Sequence, residues 1–515
     1  MLKISLKLLG GIKDSDEKSI TGSSAVLTVK NGFGTYNILI DCGLHQGTEN
    51  DELYNKEFGF DPSILNCAIL THAHIDHCGR FPFIVNKEFF KNPFKGKIYT
   101  HHLTKLILPI MLNDAANIQM SEAKEFDQKS KVYTPTILPK QRRLHQRFPP
   151  EDQEDLEDFF LKAKELKKDS DLKKEVLYTT SEVKKVLHLT EGLEYKIWKQ
   201  ILPGISIKLY NAAHVLGSTM IVVRLEDSSS KNKRYKYLLF SGDLGRVRDS
   251  LALGKPDIVK EKLSFVMMES TYGGRIHETR GVEIEQMRFE ILKCIRRNST
   301  ILAPAFAYQR VSDILEVLSK MDGVYGNVKI YLDSKLAYDL FQIYKTSKTY
   351  AFLNDIEIEI IQNKSDLERF RRQKGAKILL SSSGMVNAGS VMKHLPEILP
   401  IPNNRVFLLG YMAENTIGRQ LLEGKKLIEI PVAGRIEVAS KIVAFKSFSG
   451  HADEKDLIEI FKSLKIKQDV NFRLFINHGE ADGSALALKN AFVRKNVLNK
   501  EKITIPKSGH FYQIL

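Results

Sequence analysis

The stretch Cys67-Ala-Ile-Leu-Thr-His-Ala-His-Ile-Asp-His-Cys-Gly79 constrains the fold of this chain more than any other. Cys67–Leu70 is an apolar run of strand length. His72, His74, Asp76 and His77 follow it within six residues. In extended backbone His72 and His74 point the same way, because side chains alternate with period two. These two can grip one cation. The chain must turn after them, and Asp76 and His77 can then face a second. Imidazole and carboxylate are ligands that zinc accepts, at about 2.0–2.2 Å.

The same design recurs along the chain. Tyr36–Ile40 reads as a strand that ends at Asp41-Cys-Gly43. An Asp at a strand tip before a Gly turn suits a buried acceptor that orients a metal-binding histidine. Ile205–Tyr210 leads to His214, Tyr237–Phe240 to Asp243, and Phe265–Met268 to Glu269. A buried strand supplies rigidity and the loop after it supplies access. Helical spacing is expected over Phe81–Phe90 and Leu103–Ala116, with a strand at Lys97–Thr100 between them. Residues 120–175 differ in character. A basic run carries Arg142, Arg143 and Arg147. An acidic start and apolar residues at helical spacing from Leu156 to Leu166 follow, so a charged helical insertion is expected.

From about Gly274 the rhythm becomes strand, loop, helix. Ser299–Ala303, Val328–Leu332, Lys377–Leu380 and Val406–Leu409 are the strand candidates. Such alternation predicts a parallel sheet flanked by helices, with its ligand edge at the carboxyl ends of the strands. The loop Ser381-Ser382-Ser383-Gly384 could hold a phosphate on backbone N–H groups if a helix follows it. Metal-binding wording returns at Phe445-Lys-Ser-Phe-Ser-Gly-His451-Ala-Asp453 and at Asn477-His478-Gly-Glu480. Both make sense if the parallel-sheet segment is an insertion and the first domain resumes near Phe445. His101, His102, His145, His188, His277 and His394 read as structural or surface residues.

Length and charge narrow the function. At 515 residues the chain needs two domains or more. A net charge of +15 favours a polyanionic partner. No apolar run reaches the length of a membrane span, so no membrane is expected. Met1–Gly10 alternates apolar residues with Lys and Ser, as a first strand does and a signal peptide does not. Cys42, Cys67, Cys78 and Cys294 are scattered and form no CxxC, which favours free thiols in a reducing cytoplasm.

Taken in order, Asp41, His72-x-His74-x-Asp76-His77, His214, Asp243, Glu269, His451 and His478 resemble the β-CASP nucleases of the metallo-β-lactamase superfamily. Glu269-Ser-Thr-Tyr-Gly273, Ser383-Gly-Met385, Gly410-Tyr-x-Ala-Glu414 and Ser447-Phe-Ser-Gly-His-Ala-Asp453 extend the resemblance. The wording of Thr71–His77 and His478–Glu480 looks closest to the cleavage-and-polyadenylation-type endoribonuclease branch. Gly22-Ser-Ser24 resembles a turn that the nuclease branch of this fold tends to carry. Nearly all the chain is covered except about 120–175.

The resemblance implies an α/β fold. A metallo-β-lactamase αββα sandwich, 1–272 and 446–515, would carry an inserted β-CASP parallel-sheet α/β domain, 273–445. It implies two Zn²⁺ ions per chain, one on His72, His74 and His214, the other on Asp76, His77 and His478, with Asp243 bridging. Two such ions about 3.5–4 Å apart would share a hydroxide and clamp a phosphate. Asp76, Glu269 and His451 would be catalytic, with His451 protonating the leaving oxygen and Glu269 orienting it. The implied substrate is single-stranded RNA, cut internally or from its 5′ end in processing or decay. A homodimer in the cytoplasm is the accompanying expectation. The competing readings are a DNA nuclease of the same family, a small-ester or thioester hydrolase, and a nucleic-acid-binding protein without catalysis. His478 points to RNA. The ester hydrolase would need neither the parallel-sheet segment nor the basic charge, and the binder would require a lost ligand.

Overall fold

Period-two burial builds the centre of the molecule. Ile4, Leu6 and Leu8, with Ala25, Leu27 and Val29, point from one sheet toward Ile205, Ile207 and Leu209, with Ile221, Val223 and Leu225, of another. The computed structural model describes residues 2–13, 20–46, 51–144, 175–227, 234–248, 250–410, 412–413, 415–431, 433–467 and 471–514.

The first sheet begins as an antiparallel meander of Lys3–Lys13, Ile20–Asn31 and Gly34–Cys42. Cys67–Ile69, Lys97–His101 and Thr190–Leu193 then add in parallel. The register pairs Ile40 with Ile69 and Ile69 with Tyr99, so Asp41 and the His72–His77 turn leave the same sheet edge. In the second sheet, Arg234–Phe240, Phe265–Glu269 and Arg473–Asn477 run parallel, with Glu269 opposite Asn477. Asp243, Glu269 and His478 therefore also emerge at one edge. Helices cover the outer faces. His102–Leu144 and Thr180–Leu189 lie against the first sheet, and Glu454–Ser463 and Leu486–Arg494 against the second. The chain thus contains the αββα sandwich.

A third sheet is parallel throughout. Its spatial order is Glu359–Ile360, Lys329–Asp333, Lys377–Ser381, Thr300–Pro304, Arg405–Leu409 and Lys441–Phe445. Leu302, Leu379, Val406 and Leu408 face one helical layer, while Ile301, Ile378, Leu380 and Phe407 face the other. From Phe445 the chain crosses directly to His451 and the helix Glu454–Ser463 of the sandwich. Among the described residues no helix is long and apolar enough to cross a membrane.

Three local expectations change. The helix from Phe81 ends at Ile84, not Phe90. The Asn86 side-chain oxygen accepts from Glu88 N–H, and its amide donates to Leu177 C=O, which turns the chain instead. The helix expected to stop at Ala116 continues unbroken to Leu144, since 117–131 is rich in Glu, Lys, Gln, Met and Ala. The basic run therefore begins inside this helix, which enters the 120–175 segment expected as a charged helical insertion. The side chains of Arg142 and Arg143, Arg147, and the expected Leu156–Leu166 helix lie outside the described residues. Finally, Gly22–Ser24 sits within the strand Ile20–Asn31 and is no turn.

Candidate metal centre

Gly43 explains how the strand tip reaches the histidine turn. A Cβ there would lie 1.7 Å from Asp76 O and 2.7 Å from Ser23 N, so only glycine permits the approach. Asp41, two residues earlier, is buried and takes a left-handed φ of 56°. Ala213, Gln309 and His478 also take positive φ, at 55°, 73° and 55°. Non-glycine residues held there store roughly 1–3 kcal/mol each, a cost that clusters at functional sites.

Two groups of donors converge. His72, His74, His214 and Asp243 offer ligand atoms within 4.8 Å of one another, and Asp76, His77 and His478 do the same. In the first group His74 Nδ1 lies 2.9 Å from His72 Nε2 and 3.3 Å from His214 Nε2. Asp243 Oδ2 is 3.6 Å from both of those Nε2 atoms. In the second, His77 Nε2 is 3.1 Å from His478 Nε2 and 4.0 Å from Asp76 Oδ2. Asp243 Oδ1 stands 3.3 Å from His77 Nε2 and 3.3 Å from His478 Nδ1. One carboxylate thus faces both groups, one oxygen each.

The outer contacts fix the rings. His77 Nδ1 donates to Asp41 Oδ2 at 2.8 Å, and Asp41 also accepts from Thr71 N and Thr71 Oγ1. His72 Nδ1 meets Thr71 Oγ1, His214 Nδ1 meets Gly450 O, and His478 Nδ1 meets Thr271 Oγ1, at 3.1, 3.3 and 3.1 Å. Metal-binding histidines are held by partners on the far nitrogen in this manner.

Electrostatics fit a cation. Burial holds His72 and His214 well below the usual histidine pKa and brings His74 to about 4, despite the pull of nearby carboxylates. Their nitrogens are therefore lone-pair donors at neutral pH. Burial alone would raise Asp76 and Asp243, but the neighbouring histidines hold both carboxylates below the ordinary range. Burial lowers His77, yet Asp243, Asp41 and Asp76 drive it well above the normal value. The carboxylates around His77 thus draw a proton onto its ring, and a metal ion would replace that proton. Asp243 Oδ1 is buried with no hydrogen bond of good geometry. The donor chemistry and this oxygen fit metal ions such as zinc.

Beside the metal groups lies a second pair. His451 Nδ1 is 3.2 Å from Glu269 Oε1 and 4.0 Å from Asp243 Oδ2. Glu269 is pinned in turn by Leu244 N at 2.6 Å and Thr271 N at 3.1 Å. Burial lowers His451, but the Glu269 carboxylate, with Asp243 and Asp76, raises it to about 9.

The structure brings Asp41, His72, His74, Asp76, His77, His214, Asp243, Glu269, His451 and His478 together. Ser381–Gly384 follows the parallel-sheet strand Lys377–Ser381 and is tied within that unit. Ser381 Oγ bonds Asp333 O and Ser390 Oγ, Ser383 N–H donates to Ala388 O, and Gly384 packs against Phe306. Two contributors were not read from sequence. The Tyr308 ring lies 4.9 Å from the His74 ring, and its hydroxyl donates to Leu216 O at 2.9 Å. Gln309 Oε1 accepts from Leu216 N at 3.2 Å. The parallel-sheet segment thereby grips the loop that carries His214. Only the position of Tyr308 just past a parallel-strand end hinted at this. A further group, His101, His102 and Glu194, is close enough for a metal. However, Leu103 N–H donates to His101 Nδ1 at 3.4 Å, leaving the ring proton on Nε2.

Three family models match the chain. Residues 22–108 match the metallo-beta-lactamase superfamily, 309–421 the Beta-Casp domain, and 435–498 the Zn-dependent metallo-hydrolase RNA specificity domain. A ribonuclease of Thermus thermophilus is 25% identical over 491 residues, covering 92% of this chain and 94% of the relative. An RNase J-like protein of Methanocaldococcus jannaschii is 26% identical, covering 86% of this chain and 87% of its own. The transcription termination factor FttA of Pyrococcus horikoshii is 26% identical over 86% of this chain, which spans 62% of that longer protein.

Proposed function

Because the chain belongs to the β-CASP branch of the metallo-β-lactamase superfamily, we infer that it is a metal-dependent ribonuclease acting in RNA processing or decay. The observation that carries the reading is Asp243, whose two oxygens face two donor groups while His451 stands alongside. We assign His72, His74 and His214 to one zinc ion, Asp76, His77 and His478 to a second, and Asp243 to both. When bound, the two metals supply an activated water and positive charge for the phosphate.

The remaining roles belong to the chain. Glu269 accepts the Nδ1 proton of His451 and so directs its Nε2–H outward. That proton passes to the 3′ oxygen as its bond to phosphorus breaks, leaving a 3′-hydroxyl and a 5′-phosphate. Asp41 keeps the proton of His77 on Nδ1 and frees Nε2 for ligation. We carry Ser381, Ser382, Ser383 and Gly384 as RNA contacts on the parallel-sheet unit, with the sandwich at 1–272 and 446–515 and the β-CASP domain at 273–445. That division is supported by the strand Lys441–Phe445, the last of the parallel sheet, and by Arg473–Asn477, which lies in the sandwich. Single-stranded RNA, a homodimer and a cytoplasmic location complete the proposal.

The test is cleavage of 5′-labelled single-stranded RNA, beside DNA of the same sequence, by protein of measured zinc content. Internal fragments from RNA alone, abolished by a chelator, support an endoribonuclease. Single labelled nucleotides make it a 5′-exonuclease. Cleavage of DNA alone, or of neither polymer with two zinc ions bound, refutes the reading.

A further inference from the structure

The loop leaving Glu269 and the loop carrying His451 are sewn together. Tyr272 and Asp453 form a parallel β-bridge, and Glu454 N–H donates to Arg275 O at 3.0 Å. His277 closes the seam twice. Its N–H donates to Asp453 Oδ2 at 3.0 Å, and its Nε2 lies 3.0 Å from the carbonyl oxygen of His451. A carbonyl only accepts, so Nε2 bears the proton. Burial, aided by the charge of Arg246, brings His277 to about 4, so the ring stays neutral with that single N–H. The Tyr272 ring neighbours both imidazoles, 4.5 Å from His277 and 6.0 Å from His451. Asp453 is braced by Arg248, whose Nη2 donates to both carboxylate oxygens at 2.7 Å.

We propose that His277 is a positioning residue for the proton donor: its Nε2–H fixes the main chain of His451, so that the imidazole meets Glu269 and faces the leaving oxygen. His451 needs this support. It follows Gly450, the least restrained kind of backbone, and its own N–H has only a 3.3 Å bond to Ser449 Oγ. Its side chain is 21% exposed, whereas that of Glu269 is 1% exposed. The peptide after His451 is held at its N–H by Leu244 O, 2.7 Å from Ala452 N, and at its C=O by His277, so without the donor from His277 only one end of it stays anchored. A displacement of about 1 Å at a catalytic group costs on the order of a hundredfold in rate.

The proposal rests on the reading of His451 as the proton donor, and the experiment separates the two. His277→Ala, His277→Phe and His277→Gln are compared with His451→Ala on RNA and on RNA carrying one 3′-bridging sulfur, whose thiolate leaves without a proton. Zinc content and KM are measured for each. The expected result is a kcat for His277→Ala and His277→Phe lowered about ten- to a hundredfold on RNA, with zinc and KM unchanged. That defect should vanish on the sulfur substrate, as it does for His451→Ala. His277→Gln, which keeps an N–H donor, should recover most of the rate. Equal losses on both substrates, or a change confined to KM or zinc, overturn the role of His277. A His451→Ala defect that sulfur does not relieve overturns the underlying reading instead. Should His277→Ala unfold, the Phe and Gln variants decide, since Phe keeps the ring without the donor and Gln the donor without the ring.

Discussion

Asp41→Asn isolates one hydrogen bond behind the second donor group. Asp41 is 2% exposed and both its oxygens are committed. Oδ1 accepts from Thr71 N, and Oδ2 accepts from Thr71 Oγ1 and His77 Nδ1, each at 2.8 Å. Asn has the same shape and tolerates the left-handed backbone, so the fold is undisturbed. It keeps only one acceptor oxygen. If that oxygen stays on Thr71 N–H, the amide group faces His77 Nδ1–H, donor against donor. The ring proton then moves to Nε2, the nitrogen 3.1 Å from His478 Nε2 and 3.3 Å from Asp243 Oδ1. A metal must displace it there. If the amide flips, Thr71 N–H loses its acceptor instead. Either way one charge-assisted bond is lost, about 1.5–3 kcal/mol. Loss of such an outer contact weakens metal binding about 10–100-fold, or about 1.4–2.7 kcal/mol at 1.36 kcal/mol per tenfold. The assay is competition with a chromophoric zinc chelator. One zinc class should weaken by that factor while the other holds. Two classes of unchanged affinity would refute the orienting role of Asp41.

Further outcomes follow from the same geometry. His478→Ala should cut bound zinc from two ions to one and lower turnover on the order of a hundredfold or more, the scale of losing one preorganised charge; full zinc and full rate would remove His478 from the site. His451 is raised to about 9, against burial, by Glu269 first and then Asp243 and Asp76, so the protonated form serves at neutral pH and activity falls as pH climbs toward that value. Metals offset the charge of Asp243 and Asp76 and lower the limb, but at equal metal load Glu269→Gln must move it lower still, and an unmoved limb contradicts the pairing. Burial raises all four thiols, Cys42 and Cys67 to about 12. Iodoacetamide should therefore label no cysteine in the native protein at neutral pH and four after denaturation.

The sequence made most of the donors legible because each stands at or just beyond a short, continuously buried apolar strand. Strand ends are rigid, and the registers Ile40 with Ile69 and Glu269 with Asn477 bring distant tips to one edge. The parallel sheet was equally readable from its strand–loop–helix rhythm. Helix ends were not. The stop at Ile84 depends on Asn86 reaching Leu177 O, a tertiary contact no local pattern carries. His277 looked structural for the same reason, since its partner is the carbonyl of a residue 174 positions away. Tyr308 shows its value only once the two units are packed together.

In the proposed reaction the metals held by the two donor groups would supply an activated water, and His451 would protonate a 3′ oxygen. Paired histidines can instead cut RNA through its own 2′-hydroxyl, so the product ends decide. Single-turnover cleavage in heavy-oxygen water should give a 5′-phosphate carrying one solvent oxygen and a free 3′-hydroxyl. A 2′,3′-cyclic phosphate with a 5′-hydroxyl and no solvent label would contradict the account.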